Sequence, residues 1–252
     1  MKLKNKINYF EPEIAKILAQ LCYHVHPDIV SFIQDRNADE RSYFASLFRG
    51  RVDLNCYLSE GSACVFPGVR RYVNSRGKKR AYSHNARAIL DGNEFPRHLW
   101  CFLLNGTAYS GPAWKKTGLN EYELAHVFSH KQSEVSLEFD FFEKFDPDLL
   151  PYGDFTCAAN VVLLPKGSVR PTDNSTVIKS VFYKRYIDLY GENTLIGRSG
   201  FKEENVPTWY PSLSWNDPIL PPDWSDKVDR LMRYRKDTIA RILKRDIEPE
   251  TS

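Results

Sequence analysis

Apolar residues recur at helical spacing near both ends of the chain. The first such stretch follows Pro12, which suits a first helical turn, and its apolar positions share one face: Ile14, Ile17, Leu18, Leu21 and Cys22. A second helical stretch runs from "PDIVSFIQ" into "ERSYFASLF", so residues 11–49 are predicted to form a helical scaffold. An amphipathic helix is predicted at about 225–245, with an inward face made of Val228, Leu231, Ile239, Ile242 and Leu243.

The middle of the chain has shorter apolar runs that favour strands. From Arg51 onward, "VDLNCYL", "ACVFPGVRRYV" and "HLWCFLL" are separated by Gly, Pro, Asn and Ser, which indicates a mixed region. Further on, "YELAHVF" and "NVVLLP" are predicted strands, and "TVIKSVFYKRYIDLYGE" carries a helical stripe. The Pro- and Trp-rich segment "NVPTWYPSLSWNDPILPPDW" is predicted to wrap the surface in an extended form.

These elements predict an α+β fold. Residues 1–120 would form the helical scaffold and the mixed region, residues 121–192 a strand–strand–helix core, and residues 193–252 the wrapping segment and the last helix. A chain of 252 residues can bury a full core, and we expect these parts to form one compact unit.

Composition narrows the class of protein only slightly. The 42% apolar and 27% charged residues are ordinary for a globular protein and argue against extensive disorder. The net charge of +3 does not by itself indicate a polyanionic partner. No apolar stretch is long enough for a membrane span or a secretion signal, so we expect a cytoplasmic protein with no membrane partner. The odd set of cysteines has no CxxC pair, which also favours a reducing compartment: Cys22, Cys56, Cys64, Cys101 and Cys157.

Candidate chemistry lies between residues 121 and 190. His126 lies in the first predicted strand, Asn160 stands at the head of "NVVLLP", and Asp173 lies in "PTDNS" before the helix. This order resembles the HNH nuclease family, whose ββα-metal core is formed by two strands and a helix, and the resemblance covers about 70 residues. It implies a metal-dependent DNA endonuclease that hydrolyses phosphodiester bonds, with restriction or defence against foreign DNA as the expected context.

The resemblance also implies roles for individual residues. His126 would be the general base that activates a water, since an imidazole can accept a proton near neutral pH. Asn160 would orient the histidine, and a divalent ion, Mg²⁺ by preference, would be held near Asp173 with help from His130. Asp173 has an alternative reading as an N-cap or turn residue, and His130 as a solvent-facing or DNA-contacting residue.

This chain departs from the family pattern at three places. Ala125 stands directly before His126, where many members carry an acidic residue or a histidine as a metal ligand. The spacing from His126 to Asn160 is 34 residues, which is long for the family and implies an insertion. Val169 stands about nine residues after Asn160, where the helix-borne ligand is expected. His130 or Glu134 could take the place of the ligand missing at Ala125, and Asp173, four residues after Val169, is the best oxygen donor near the helix-borne position.

A cluster of cations without an acid lies in "RRYVNSRGKKR", around an Asn-Ser-Arg-Gly turn signal: Arg70, Arg71, Arg76, Lys78, Lys79 and Arg80. Such residues would suit phosphate contacts with duplex DNA, the expected partner. The alternative is a solvated basic hairpin tip that protects a sheet edge. Two histidines in "HVHPD", His24 and His26, are interpreted as closing a helix, with no functional role.

Two other functions stay open from the sequence. One is a nucleic-acid-binding module that keeps the nuclease scaffold without activity, as Ala125 suggests. The other is a regulatory protein-interaction domain with no nucleic-acid role. If the protein cuts both strands at a specific site, a homodimer on a two-fold site is expected by symmetry.

Overall fold

The computed structural model of the protein describes residues 10–70, 73–75, 78–80, 90–91, 95–128, 141–143, 152–191, 194 and 200–245. These residues combine helices with small two-stranded sheets, which confirms an α+β fold class. The helices, in chain order, are α1 Glu11–Leu21, α2 Pro27–Phe48, α3 Leu54–Tyr57, α4 Phe95–Asn105, α5 Gly111–Lys116, α6 Tyr152–Phe155, α7 Val169–Asn174, α8 Thr176–Tyr190 and α9 Trp224–Arg245.

The strands of the described residues pair in twos. They are β1 Val69–Arg70, β2 Val73–Ser75, β3 Lys78–Arg80, β4 Leu90–Asp91, β5 Tyr122–His126 and β6 Val161–Pro165. β1 and β4 are parallel, whereas β2 with β3 and β5 with β6 are antiparallel. The sequence prediction of two strands followed by a helix between residues 121 and 190 is confirmed at the level of these elements.

The N-terminal helices begin where proline and a capping group allow it. Pro12 lies in the first turn of α1 and Pro27 begins α2, positions where the missing proline N–H costs no helical hydrogen bond. His26 accepts a hydrogen bond at Nδ1 from the backbone N–H of Asp28, 3.1 Å away. His26 therefore caps the start of α2, and the interpretation that the histidines close a helix is wrong because α1 ends at Leu21.

Two of the runs predicted to favour strands are helical. "HLWCFLL" lies within α4, and "LNCY" forms the short helix α3. α4 is buried on most of its circumference, with Leu99, Trp100, Cys101 and Leu103 at 0% exposure. Periodicity cannot distinguish a buried helix from a buried strand over a continuous apolar run as short as this one.

One apolar core draws residues from all three predicted parts of the chain. It contains Val25 and Ile29 from the N-terminal part, Phe128 from the strand–strand–helix part, and Val228 and Leu231 from α9. The last helix packs mainly against α4 and α2, so the C-terminal end of the chain closes over the N-terminal scaffold. No helix among the described residues combines the length and apolar character needed to cross a membrane.

A buried arginine fixes α9 against the scaffold. Arg235 is 0% exposed, donates to Asn37 Oδ1 over 2.6 Å, and pairs with the carboxylate of Glu40. It also donates to the backbone oxygens of Cys64 (3.2 Å) and Val65 (3.4 Å). A buried cation is tolerated only when it is paired and hydrogen-bonded, so these contacts specify one position for α9.

We expect Arg235→Ala to lower the free energy of unfolding by about 3 kcal/mol, because it leaves buried acceptors without their donor. Urea unfolding followed by circular dichroism measures the change. The control is Arg233→Ala on the exposed side of the same helix, which should stay within about 0.5 kcal/mol of the parent. Equal losses in the two variants would contradict the structural role of Arg235.

His98 is a second buried titratable group in this core. Its Nδ1 accepts from the backbone N–H of Tyr109 over 2.9 Å, and its ring lies against Phe66, Phe95 and Tyr234. Burial lowers the pKa of His98 from 6.5 to about 4. The imidazole therefore stays neutral in the folded protein at a pH where the unfolded chain binds a proton.

We expect the protein to lose stability as the pH falls from about 6.5 to about 4, because the unfolded chain gains a proton at His98 that the folded protein refuses. The sign follows from the lowered pKa: above pH 6.5 both states are neutral at this site and it has no effect. Urea unfolding at pH 7, 6, 5 and 4.5 gives the slope. His98→Gln should give a shallower slope, and an unchanged slope would contradict the assignment.

Candidate functional site

The pairing of β5 with β6 places His126 beside Asn160. His126 is the last residue of β5 and lies opposite Val161, the first residue of β6. Asn160 directly precedes Val161 in a short 3-10 turn, Ala158–Asn160. The antiparallel register therefore brings together two residues that are 34 positions apart in the sequence.

Asn160 is fully buried and its side chain holds the segment that follows His126. Its Oδ1 accepts from the backbone N–H of Phe128 over 2.7 Å, and its Nδ2 donates to the backbone oxygen of Phe128 over 3.2 Å. Nδ2 also donates to the backbone oxygen of Phe155 over 3.2 Å, and the backbone N–H of Val127 donates to the oxygen of Asn160 over 3.0 Å. The amide thus connects the segment after His126, at Phe128, to the segment that carries Phe155.

The ring of His126 is stacked on Phe155. The ring centroids are 4.1 Å apart and the planes differ by 11°. The imidazole is half-buried, so the phenyl ring covers one of its faces and restricts its rotation. Sequence reasoning missed Phe155, which lies in "YGDF" without a local signal, since the contact depends on how α6 packs.

A close backbone approach sets the position of α6. A Cβ atom on Gly153 would come within 2.1 Å of the backbone oxygen of Tyr57, so no residue with a side chain fits there without movement. Glycine is the residue that permits such an approach between two chain segments. Gly153 therefore lets α6 lie against α3, two residues before Phe155 meets His126.

Asp173 lies apart from His126 and Asn160 along the chain path. It is exposed on α7, which the chain enters from the Pro165 end of β6, and β6 advances ~14 Å away from His126. Ser175, whose Oγ accepts from the N–H of Ile178 over 3.1 Å, caps α8, so the N-cap reading of Asp173 is wrong. His130 and Glu134 lie outside the described residues.

The two faces of the β5–β6 pair have different surroundings. Leu124, Val161 and Leu163 pack with the main core, and His126 shares their face because paired residues point to the same side. The opposite face belongs to a separate apolar cluster, which is formed with α1 and α8 and includes Ala125, Val127, Val162, Leu164, Val169, Ile178 and Phe182. His126 therefore lies on the opposite face of the strand pair from the apolar cluster formed with α1 and α8.

Ala125 and Val169 occupy the positions at which the resemblance calls for metal ligands, and both pack against this apolar cluster. Within the part of the chain that the structure describes, no group of three or more His, Cys, Asp or Glu could hold a metal ion. Of the two predicted metal ligands, Asp173 and His130, only Asp173 lies among the described residues. Its carboxylate is a suitable donor for a hard divalent ion.

The described residues of the basic segment include an antiparallel strand pair, β2 with β3, which is called the basic hairpin below. β2 pairs with β3 so that Ser75 lies opposite Lys78 and Val73 opposite Arg80. Lys78, Lys79 and Arg80 are the three residues of β3. Arg70 lies in β1, opposite Asp91 of β4 in the backbone register, whereas Arg71 and Arg76 fall outside the described residues.

Comparisons of the chain with protein-family models, with curated proteins and with solved structures gave no match. The functional interpretation therefore depends on the geometry of the residues described above.

We expect Asn160→Ala to lower the free energy of unfolding by about 3 kcal/mol, because it leaves the buried N–H and C=O groups of Phe128 without their partner. Hydrogen exchange should show faster exchange at the Phe128 amide, and urea unfolding gives the free energy. Asn120→Ala, which removes an exposed side-chain contact, should change stability by less than about 0.5 kcal/mol. Protection of Phe128 that is equal in the two variants would contradict the role of Asn160.

Proposed function

We propose that the protein is an HNH-type endonuclease that hydrolyses DNA phosphodiester bonds with a water activated at His126. One observation carries the proposal: Asn160, at the head of the second strand, fixes the segment after His126 through two hydrogen bonds to the backbone of Phe128, and donates a third to the backbone oxygen of Phe155. An antiparallel strand pair followed by helices carries both residues. The order base, asparagine, helix is the one implied by the resemblance to the HNH family.

The arrangement around His126 suits a general base. A base must be held at a fixed place relative to the water that it deprotonates, and disorder of the ring would lower the rate. Asn160 fixes the backbone after the histidine, and Phe155 fixes the plane of the ring. His126 would take the proton from the attacking water, which then adds to phosphorus as the leaving oxygen departs.

A divalent ion is part of the proposal through Asp173 and His130. Such an ion would stabilise the negative charge on the phosphate oxygens. The described residues do not by themselves form a complete ligand set, because Ala125 and Val169 are apolar and face a packed cluster. Mg²⁺ usually keeps several waters and needs only one or two carboxylates from the protein. Asp173 lies beyond the far end of β6 from His126, so an ion next to the proposed base would need a ligand closer to it, and His130, four residues after His126 in the sequence, is the candidate.

The basic hairpin is the proposed contact with duplex DNA. Three consecutive cations on β3 and further cations in "RRYVNSRGKKR" would give affinity that depends on the phosphate backbone and falls with salt. A two-fold arrangement of two copies would serve double-strand cutting, and defence against foreign DNA would be a suitable context for it.

A second candidate function is favoured by the apolar surroundings of Ala125 and Val169. If the metal ligands have been replaced by packing residues, the scaffold would bind nucleic acid without cutting it. In that form the protein would retain the contacts of the basic hairpin with DNA and the hydrogen bonds of Asn160. Added Mg²⁺ would then not lead to cleavage of the DNA. A cleavage assay of the parent protein therefore separates the two functions.

We expect the parent protein to nick supercoiled plasmid in the presence of Mg²⁺, and His126→Ala to lower the rate at least about 100-fold, since a positioned base contributes about 10²–10⁴. Gel electrophoresis of the plasmid measures cleavage, and a gel-shift assay at several salt concentrations measures binding. His126→Ala should bind DNA as tightly as the parent because the basic hairpin is unchanged.

The control for this experiment is His26→Ala, which changes a histidine at the start of α2 and should leave the cleavage rate within about twofold of the parent. Cleavage by His126→Ala at the parental rate would rule out the proposed base. DNA binding by the parent without any Mg²⁺-dependent cleavage would favour the binding module instead.

A further inference from the structure

Cys64 and Cys157 lie directly opposite each other across an isolated antiparallel bridge. The backbone N–H of Val65 donates to the oxygen of Thr156, and the N–H of Ala158 donates to the oxygen of Ala63, each over 3.0 Å. These two hydrogen bonds flank the cysteine pair instead of joining it. The cysteines therefore occupy a non-hydrogen-bonded position of an antiparallel pair.

This position fits the dimensions of a disulfide. In a non-hydrogen-bonded antiparallel pair the Cα atoms are about 4.5 Å apart and the two side chains leave the backbone on the same side. Disulfides span Cα separations of about 4.4–6.8 Å, so the backbone does not have to move to allow the bond. The residues beside the pair, Ala63 and Ala158, are small and buried.

We propose that Cys64 and Cys157 form a disulfide when the chain folds in the presence of a low-molecular-weight disulfide such as oxidised glutathione. One cysteine thiolate attacks that disulfide and releases one glutathione thiolate. The second cysteine thiolate then attacks the mixed disulfide and releases the other. The balance is two protein thiols and one glutathione disulfide giving one protein disulfide and two glutathione thiols, so the protein is oxidised and glutathione reduced.

Because both cysteines are buried in the folded protein, the disulfide forms while the chain folds. Cys64 and Cys157 are 0% and 1% exposed, and burial raises the pKa of Cys64 to about 12 and that of Cys157 well above its usual range. The thiolate is the nucleophile, so both groups are inert in the reduced folded state. The same burial would shield the bond from reductants once it has formed.

In the reduced protein each sulfur has another partner. Cys64 Sγ lies 3.1 Å from Thr156 Oγ1, and Cys157 Sγ accepts from the N–H of Ala159 over 3.4 Å. Formation of the bond removes the thiol hydrogen of Cys64, so this residue could no longer donate to the Thr156 hydroxyl. The hydroxyl can still donate to the oxygen of Gly153, which is 3.5 Å away.

The disulfide would fix the turn that leads to Asn160, whose side chain holds the segment after His126. Cys157 stands three residues before Asn160 and caps the 3-10 turn that ends at Asn160. The backbone oxygen of Cys64 accepts from buried Asn37 (2.9 Å) and Arg235 (3.2 Å), so Cys64 belongs to the segment fixed by α2 and α9. A disulfide would therefore join the scaffold covalently to the turn at Asn160.

The test is to unfold and reduce the full-length protein, refold it in a mixture of reduced and oxidised glutathione, stop thiol exchange with acid, and alkylate the remaining thiols in denaturant so that buried cysteines also react. Peptide mapping by mass spectrometry without reduction should find the Cys64 and Cys157 peptides joined, with the other three cysteines alkylated. The oxidised protein should melt about 10 °C above the reduced protein, because the bond closes a long loop in the unfolded chain. Recovery of Cys64 and Cys157 as alkylated or glutathionylated single peptides, or joined to other cysteines, would overturn the proposal.

Matched variants separate this bond from general effects of oxidation. Cys157→Ala should abolish the difference in melting temperature between oxidised and reduced protein. Cys101→Ala, which removes a buried cysteine of α4 that is not part of the pair, should retain the difference. If Cys157→Ala does not fold, peptide mapping of the parent protein still decides the question. Neither measurement uses DNA cleavage, so the outcome is independent of the proposed nuclease function.

Discussion

The buried guanidinium of Arg235 is the contact on which the arrangement of the helices depends. It lies between α9, which carries it, and α2, which supplies Asn37 and Glu40, and it also contacts the chain at Cys64 and Val65. A cation without water must have its partners in fixed places, so the charge specifies a single packing of these segments. Apolar contacts between the same helices would tolerate a range of positions.

The contacts of Arg235 continue towards the candidate site. Cys64 pairs with Cys157 across the isolated bridge, Cys157 leads into Asn160, and Asn160 fixes the backbone at Phe128. Each step is a backbone or buried polar contact, which permits little displacement. The segment that carries His126 is therefore connected to the scaffold as well as to the strand pair.

The two faces of the β5–β6 pair give the site its asymmetry. His126 points to the side where α6 and the main core restrict it, whereas Ala125 points to the apolar cluster with α1 and α8. Neighbouring residues of one strand thus have opposite environments, as strand geometry requires. His126 and Ala125, where the resemblance calls for a metal ligand, therefore lie on different faces of the strand pair.

The sequence alone determined α1, α2, β5, β6, α8 and α9, because each has a clear apolar period, a proline or polar start, or a branched apolar run. The resemblance to the HNH family predicted that His126 and Asn160 belong to one site; the strand pairing brings them near each other, and their roles stay predictions. The sequence did not determine α4, since the short continuous apolar run "HLWCFLL" suits a buried strand as well as a buried helix. Phe155 beside His126, Cys64 opposite Cys157 and Arg235 beside Glu40 were decided only by the tertiary structure, because these contacts join residues distant in sequence and depend on the close approach of whole segments.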